Sequence, residues 1–171
     1  MKRKLAVLIT GVGIACGSAA VAETVGTHKA FLPQDIKWGP MPPNLPTGAE
    51  AAVLYGDPSK EGMFALRLKA PKGYRIAPHT HPNPEAITVI SGKITLGMGP
   101  SADRVSVEYL PAGSFASMPH RVVHYVFVDE DSIVQVNATG PWGIDYVNAK
   151  DDPRLNGVPD PSSGLYSSKQ K

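Results

Sequence analysis

The sequence predicts an all-β protein, folded as one sandwich or barrel of short strands. About ten short apolar or alternating segments follow one another with turn residues between them, which is typical of such folds. No stretch keeps a helical period of 3.6 residues together with capping residues, so we expect little helix. The chain of 171 residues is long enough for one hydrophobic core and suits a single domain.

The composition is that of an ordinary globular protein, with 42% hydrophobic and 19% charged residues. The formal charge of +2 depends on Lys2, Arg3 and Lys4. Without these three residues the chain has 14 basic and 15 acidic residues. No basic patch then remains that would favour nucleic acid or an anionic membrane surface, so neither is expected as a partner.

Residues 1–22 have the pattern of a secretory signal peptide. A basic start is followed by an apolar run and by a small-residue cleavage pattern that ends at Ala22. The run is shorter than the ~20 residues of a spanning helix, although an uncleaved anchor and a lipoprotein site at Cys16 are alternatives. Cleavage would remove the only cysteine. We therefore expect a periplasmic or secreted protein without stable membrane insertion.

Residues 23–48 form a proline-rich arm. Five prolines deny this segment helix and central-strand hydrogen bonds and favour extended or polyproline-like backbone. Its apolar residues make it too hydrophobic for a solvated linker: Phe31, Leu32, Ile36, Trp38 and Met41. We expect the arm to lie against the barrel, or against a second subunit in a homodimer, with a loose tail as the alternative.

Residues 49–148 hold the expected barrel. The segments with the pattern of strands are Ala51–Tyr55, Gly62–Lys69, a histidine strand after Gly73, Glu85–Ile90, Ile94–Met98, Val105–Leu110, Ser114–Met118, His124–Val128 and Ile133–Thr139. Ser91-Gly92-Lys93 is expected to form a tight hairpin. Residues 149–171 have the composition of a polar tail, to which we assign no chemistry.

Two histidines and a glutamate are placed to meet at one end of the predicted sheet. His79 and His81 are two residues apart, so on a strand both imidazoles leave the same face. Pro82 and Pro84 cannot donate to a strand ladder, which makes Pro-Asn-Pro a turn and lets Glu85 begin the next strand. Two imidazoles and a carboxylate on a rigid sheet suit a divalent metal.

A later stretch, residues 113–124, offers one more histidine at the start of a β-rich run. The two stretches resemble the paired motifs of the cupin superfamily. The first motif is met at every position, by Gly73, His79, His81, Glu85 and Gly92. The second is met by Gly113, Pro119 and His124, whereas Arg121 stands where a glycine is expected and Val128 where an asparagine is expected.

The resemblance covers roughly residues 49–147. It implies a single-domain cupin jelly-roll β-barrel with one metal ion held by three histidines and one glutamate, here His79, His81, Glu85 and His124. The ligand set admits iron, manganese, nickel, cobalt or zinc. No matching motif position identifies a general base, so no catalytic residue is assigned.

Strand parity predicts which residues surround the site. If Glu85 points inward, so do Ile87 and Val89, and if His124 points inward, so does Val126. Three residues of one strand would complete an apolar lining: Phe64, Leu66 and Leu68. The alternative is that these apolar residues simply fill the barrel.

Other polar and aromatic residues near the site are expected to lie outside it. Gln135 and Asn137 share a strand face and are expected to be exposed, with hydrogen bonding to a substrate as the alternative. His120 is expected at the pocket rim or surface, with a supporting contact to a ligand histidine as the alternative. Tyr125 and Phe127 fall on the strand face opposite His124 and are expected to pack between layers.

Two functions fit this site. Three imidazoles and one carboxylate leave up to two positions of an octahedral ion open, which supports Lewis-acid chemistry or oxygen activation. The first hypothesis is a metal-dependent enzyme acting on a small organic molecule, most simply a dioxygenase, as in the quercetin dioxygenase-like cupins that the site resembles, although the superfamily also contains isomerases and lyases. The second is a non-catalytic domain that binds a metal and a small ligand.

Overall fold

A computed structural model describes residues 28–155, and these form two antiparallel sheets. The strands are β1 (Gly39–Pro40), β2 (Glu50–Tyr55), β3 (Gly62–Ala70), β4 (Arg75–Thr80), β5 (Glu85–Ser91), β6 (Lys93–Met98), β7 (Val107–Pro111), β8 (Phe115–Met118), β9 (His124–Val128), β10 (Ser132–Gly140) and β11 (Asp145–Tyr146). Helical structure within this range is limited to the 3₁₀ turns Pro33–Asp35, Ala149–Asp151 and Pro153–Leu155. The prediction of an all-β protein is confirmed.

The strand order defines a larger and a smaller sheet. The larger sheet has the order β1-β2-β3-β10-β5-β8, and the smaller has the order β11-β4-β9-β6-β7. Phe64, Leu66 and Leu68 alternate along β3 and are all buried, as the sequence predicted. Val136 of β10 lies opposite Leu66 on one side and Ile87 on the other, so neighbouring strands contribute to one apolar face.

One strand begins later than predicted, because the chain before it crosses the outside of the smaller sheet. The expected segment Val105–Leu110 pairs only as Val107–Pro111. Arg104 forms an ion pair of 2.9 Å with Asp129 and lies 4.3 Å from the centre of the Phe127 ring. These contacts hold the preceding loop on the sheet surface instead of in the strand ladder.

The proline-rich arm packs on the two sheets between Phe31 and Gly48. Pro40 pairs with Glu50 as part of a short edge strand, the position in a sheet that tolerates proline. Leu45 is only 2% exposed. The segment called an arm from its composition therefore supplies part of the core and one strand.

The start of the polar tail is also packed. Asp152 is buried and binds Arg154, whose guanidinium donates to the carbonyl oxygen of Ile144 at 3.0 Å. The predicted signal peptide and most of the predicted tail lie outside the described residues. Between residues 28 and 155, no helix has the length and hydropathy required to cross a membrane.

Candidate metal centre

Four buried side chains meet between the two sheets. His79 and His124 are direct neighbours across β4 and β9 of the smaller sheet, and Glu85 is the first residue of β5 in the larger sheet. His81 lies in the short connection between β4 and β5. All four are at most 5% exposed, so the sheets bring the predicted ligands together in a site shielded from water.

Each histidine is held in one orientation by its own backbone contact. The Nδ1 atoms lie 2.7 Å from the carbonyl oxygen of Ala77 for His79, 2.7 Å from that of Gly143 for His81, and 3.0 Å from that of Val122 for His124. A carbonyl oxygen can only accept, so each Nδ1 carries the proton. The Nε2 lone pairs are left for another partner, the usual arrangement of metal-binding histidines.

Two of the remaining ring nitrogens lie beside Glu85. Its Oε2 lies 2.8 Å from Nε2 of His81 and 3.7 Å from Nε2 of His124. One ligand atom from each of the three histidines lies within 4.8 Å of the other two. This spacing allows the three buried histidines to hold a single metal ion, with a carboxylate oxygen beside it.

The charges of these groups are strongly coupled. Burial lowers the pKa of His79 to about 3, with the neighbouring His124 and His81 acting in the same direction. Burial also disfavours the charged form of His81. The hydrogen bond with Glu85 and the negative charge of Glu85 outweigh burial and raise the pKa of His81. Burial would raise the pKa of Glu85, yet the imidazoles of His124 and His81 lower it to about 2. Without a metal, the Glu85 carboxylate therefore favours a proton on His81, while burial opposes one on His79.

Residues 142 and 143 fix His81 from two sides. The indole ring of Trp142 stacks on the imidazole with a ring separation of 5.3 Å and an angle of 15°. The next residue, Gly143, provides the carbonyl oxygen that orients Nδ1. The segment after β10, which the sequence analysis did not connect with the site, therefore positions one of the candidate ligands.

A small apolar cavity adjoins the four residues. Its volume is about 50 Å³. The walls are mostly aliphatic, as predicted, and include Ile87, Val126 and Leu68. Val89, Phe64 and Leu66 do not line it, because they fill the core farther along the sheets, which was the alternative for these residues.

The polar residues whose roles were open lie away from the cavity. His120 is exposed and does not line it. Gln135 accepts from Arg67 at 3.1 Å and donates to Asn137 at 3.1 Å on the outer side of the larger sheet, so neither amide faces the candidate site. Both residues are half-buried, not exposed as expected, and neither lines the cavity.

The two departures from the second motif have different structural outcomes. Arg121 adopts a φ of 59°, the left-handed conformation that glycine takes most easily, and its N–H donates to the carbonyl oxygen of His81 at 2.9 Å. Val128 is buried and lines the cavity. The turn required before His124 is kept, while the expected polar residue is replaced by an apolar wall.

Sequence reasoning missed many residues that line the cavity, among them Leu45, Tyr74 and Trp142. Leu45 belongs to the arm, and its apolar neighbours were the signal that the arm would pack. Nothing in the local pattern around Tyr74 or Trp142 indicates a place in the site, because both reach it through contacts between distant segments.

A curated relative and several solved structures are similar to this chain. Germin-like protein 3-1 of Oryza sativa subsp. japonica is 28% identical over 121 residues, which are 67% of this chain and 52% of the relative. The chain therefore spans about half the length of this relative.

Three solved structures share the fold at low sequence identity. The polyketide cyclase RemF of Streptomyces resistomycificus has a TM-score of 0.61 at 16% identity, covering 75% of this chain and 92% of its own. A candidate acetylacetone dioxygenase of Methylibium petroleiphilum PM1 has a TM-score of 0.55 at 18% identity, covering 75% and 87%. An RmlC-like cupin of Shewanella frigidimarina NCIMB 400 has a TM-score of 0.53 at 16% identity, covering 67% and 91%.

The family model that matches the chain covers most of the described fold. It spans residues 30–144 and is described as a domain of unknown function, DUF4437. Its range contains both histidine motifs and all four candidate ligands. The two-sheet architecture, the paired motifs and these matches agree: the chain belongs to the DUF4437 family and is a member of the cupin superfamily.

Proposed function

We propose that this protein is an exported, metal-dependent enzyme of the oxygenase type that acts on a small organic molecule. One observation carries the proposal: three buried imidazoles, each oriented by a backbone carbonyl, place ring nitrogens within 4.8 Å of one another, and the Glu85 carboxylate lies beside those of His81 and His124. A metal ion would give these closely placed ring nitrogens one shared partner.

The donor set fits one divalent transition metal. His79, His81 and His124 offer ring nitrogens, and Glu85 offers an oxygen whose low pKa keeps it ionised. Iron, manganese, nickel, cobalt and zinc all accept such nitrogen and oxygen ligands. When bound, the ion supplies Lewis acidity and, if it is redox-active, access to oxygen chemistry.

The chain's own residues bind, orient and exclude water. The cavity lining contains one further ionisable side chain besides the four candidate ligands, namely Tyr74. Burial raises the pKa of its phenol, and the hydroxyl donates to the carbonyl oxygen of Pro46 at 2.6 Å, so it stays neutral. A cavity without an independent general base favours chemistry centred on the ion over proton abstraction by a side chain.

Structures with a similar fold support a small-molecule activity. The cupin neighbours include a candidate acetylacetone dioxygenase and a polyketide cyclase. The shared fold alone does not select one reaction, because the same architecture carries many activities. The oxygenase assignment therefore depends on the donor set and the apolar cavity of this chain.

A second function has one observation in its favour. The cavity of about 50 Å³ is far smaller than the ~300–1,000 Å³ of most organic-ligand sites. A protein that binds a metal and a very small ligand without turnover would need no more space. The non-catalytic alternative is therefore tested beside the enzymatic one.

Metal analysis and oxygen uptake separate these functions. Protein purified without chelator should contain about one transition metal per chain, and the His79→Ala/His81→Ala variant should contain almost none. Iron-loaded protein should consume oxygen with phenolic or diketone substrates. Uptake equal to that of the double variant, with metal still bound to the wild type, would favour the binding function.

Export is a separate part of the proposal and rests on the pattern of residues 1–22. Expression in a Gram-negative host with the natural start should give a periplasmic protein whose first residue is Glu23. N-terminal sequencing of the purified protein checks this. A chain that still begins at Met1 would contradict it.

A further inference from the structure

The loop between β1 and β2 lies against the cavity and contributes Leu45 to its wall. Its ends are held together because Pro40 pairs with Glu50, so residues 41–49 form the loop of a hairpin that belongs to the larger sheet. The tip reaches the smaller sheet, where it meets β11 and the residue that precedes β4. We refer to residues 41–49 as the hairpin loop.

Two tyrosines fasten the tip of the hairpin loop. Tyr74 donates its hydroxyl hydrogen to the carbonyl oxygen of Pro46 at 2.6 Å, and Tyr146 donates to that of Asn44 at 3.0 Å. Between these two carbonyls, Leu45 points into the cavity and is almost completely buried. The tip is attached through these two hydrogen bonds and through Leu45, and Met41 and Ala49 pack against the core at the two ends of the loop.

The hairpin loop borders both the cavity and a groove on the outside. The groove has a volume of about 410 Å³ and is lined in part by Gly48 and Ala49 of the loop. Groove and cavity share two wall residues, Ala70 and Ser132. Withdrawal of the loop would remove Leu45 from the cavity wall and Gly48 and Ala49 from the groove wall, and so would open the space next to the histidines towards a groove large enough for an organic molecule.

The closed arrangement leaves one polar atom of the loop unsatisfied. Oδ1 of Asn44 is buried and has no hydrogen-bond partner within the described part of the chain. Opening would let water hydrogen-bond to this atom. The free energy gained in this way would offset part of the free energy of the two tyrosine hydrogen bonds. Gly48, with a φ of 102° and open space around it, provides a place where the backbone can pivot.

We propose that the hairpin loop is a gate that admits small molecules from the outer groove to the metal centre, with Tyr74 and Tyr146 as its latch. The proposal rests on the proposed function, since the gate serves the centre formed by the candidate ligands. None of those ligands lies on the loop. Opening therefore changes how fast a ligand or ion exchanges with the centre, and leaves the strength of its binding almost unchanged.

The test compares metal exchange in the wild type and in Tyr74→Phe/Tyr146→Phe. Protein loaded with Co²⁺ is mixed with excess chelator, and the release rate is followed by visible absorption. The double variant should release and take up Co²⁺ roughly ten- to thirtyfold faster, the factor expected for two hydrogen bonds, with a dissociation constant within about twofold of the wild type. Tyr109→Phe, at an exposed tyrosine of β7, is the matched control and should exchange like the wild type.

A second measurement does not require a metal. The chain contains two tryptophans, so Trp38→Phe leaves Trp142, which lines the cavity, as the only indole. Acrylamide, a small neutral molecule, should quench the fluorescence of Trp142 more efficiently when the two latch substitutions are added to Trp38→Phe than in Trp38→Phe alone, which is the parent. Failure of the wild type to bind Co²⁺ would reject the metal function, and the quenching result would still decide on the gate.

The outcomes separate the gate from a structural role. Equal release rates and equal quenching in the latch variant and its parent would overturn the gate. A weaker dissociation constant, with no change in the uptake rate, would show that the tyrosines stabilise the centre, and this also contradicts the proposal.

Discussion

The two stretches that supply the candidate ligands differ in how closely they follow the family pattern. The first, from Gly73 to Gly92, is complete and gives three of the four side chains. The second, from Gly113 to Val128, departs at two positions and gives one. Both nevertheless deliver buried histidines with the same orientation, because His79 and His124 each donate Nδ1–H to the carbonyl two residues earlier.

This comparison teaches that backbone conformation, and not residue identity, is what the second stretch preserves. Arg121 keeps the positive φ expected of a glycine, and its N–H ties the turn to the carbonyl of His81. The second stretch is therefore held in place by the first. We expect the two to be equally necessary for metal binding but unequal in their tolerance of substitution.

The largest effect should come from removing a ligand of either stretch. His81→Ala and His124→Ala should each weaken metal affinity by more than the ~10–100-fold that supporting residues around a metal contribute. Metal titration and elemental analysis measure this. His120→Ala removes an exposed histidine four residues before His124 and should bind like the wild type. Normal affinity in His124→Ala would exclude the second stretch from the centre.

The next largest effect should be a difference in stability between alanine substitutions at the glycines of the two stretches. Gly92 and Gly113 both have positive φ, but a Cβ on Gly92 would collide with the backbone of Asp131 and with Ser132, whereas one on Gly113 meets open space. Gly92→Ala should therefore lower the free energy of unfolding by about 2–4 kcal/mol, the sum of backbone strain and overpacking.

Gly113→Ala serves as the control for this substitution, since it carries the backbone strain alone, about 1–2 kcal/mol. Urea unfolding of the two variants and the wild type gives the comparison. Gly92 lies in the turn that joins β5 of the larger sheet to β6 of the smaller one, so the tight hairpin expected from the sequence is not formed. Equal losses in the two variants would show that this turn relaxes without resistance.

The pH dependence of metal binding should reflect the proton held within the first stretch. The pKa of His81 is raised, while those of His79 and Glu85 are lowered to about 3 and about 2. Below the pKa of His81, an incoming ion must displace its proton, and the other two groups are already unprotonated. Affinity should therefore fall about tenfold per pH unit below this pKa and become constant above it.

Calorimetric titration in buffers of different ionisation enthalpy measures the number of protons released. The first stretch is expected to contribute about one proton at acidic pH, and this contribution should fall towards zero as pH rises through the pKa of His81. A proton release that does not decline as pH rises through this pKa would contradict the raised pKa of His81.

The smallest effect should be seen at the substituted glycine position of the second stretch. Arg121→Gly relieves a left-handed backbone strain of ~1–2 kcal/mol, offset by the greater unfolded-state freedom of glycine, for a net gain of about 0.5–1 kcal/mol. Thermal or urea unfolding detects it, and metal affinity should not change. A loss of stability would show that the arginine side chain makes a compensating contact.

Much of the fold and most of the centre could be predicted from sequence, because their signals are local. The alternation of Phe64, Leu66 and Leu68 follows from the pleat of one strand, and the spacing of His79, His81 and Glu85 follows from one strand, one turn and the next strand.

The loop over the cavity and the wall at Trp142 could not be predicted in this way. The bond from Tyr146 to Asn44 joins residues 102 positions apart, and that from Tyr74 to Pro46 joins residues 28 apart. Such contacts depend on which sheet edges meet after the barrel closes. Composition indicated that the arm would pack, but only the assembled sheets show that Leu45 faces the candidate centre.

The central claim is that side chains from both stretches hold one ion. Anomalous diffraction from crystals of cobalt- or zinc-loaded protein tests it most directly. We predict one strong peak at about 2.0–2.2 Å from Nε2 of His79, His81 and His124 and from a carboxylate oxygen of Glu85. A loaded crystal without a peak between these four residues, or with the ion bound elsewhere, would contradict the account.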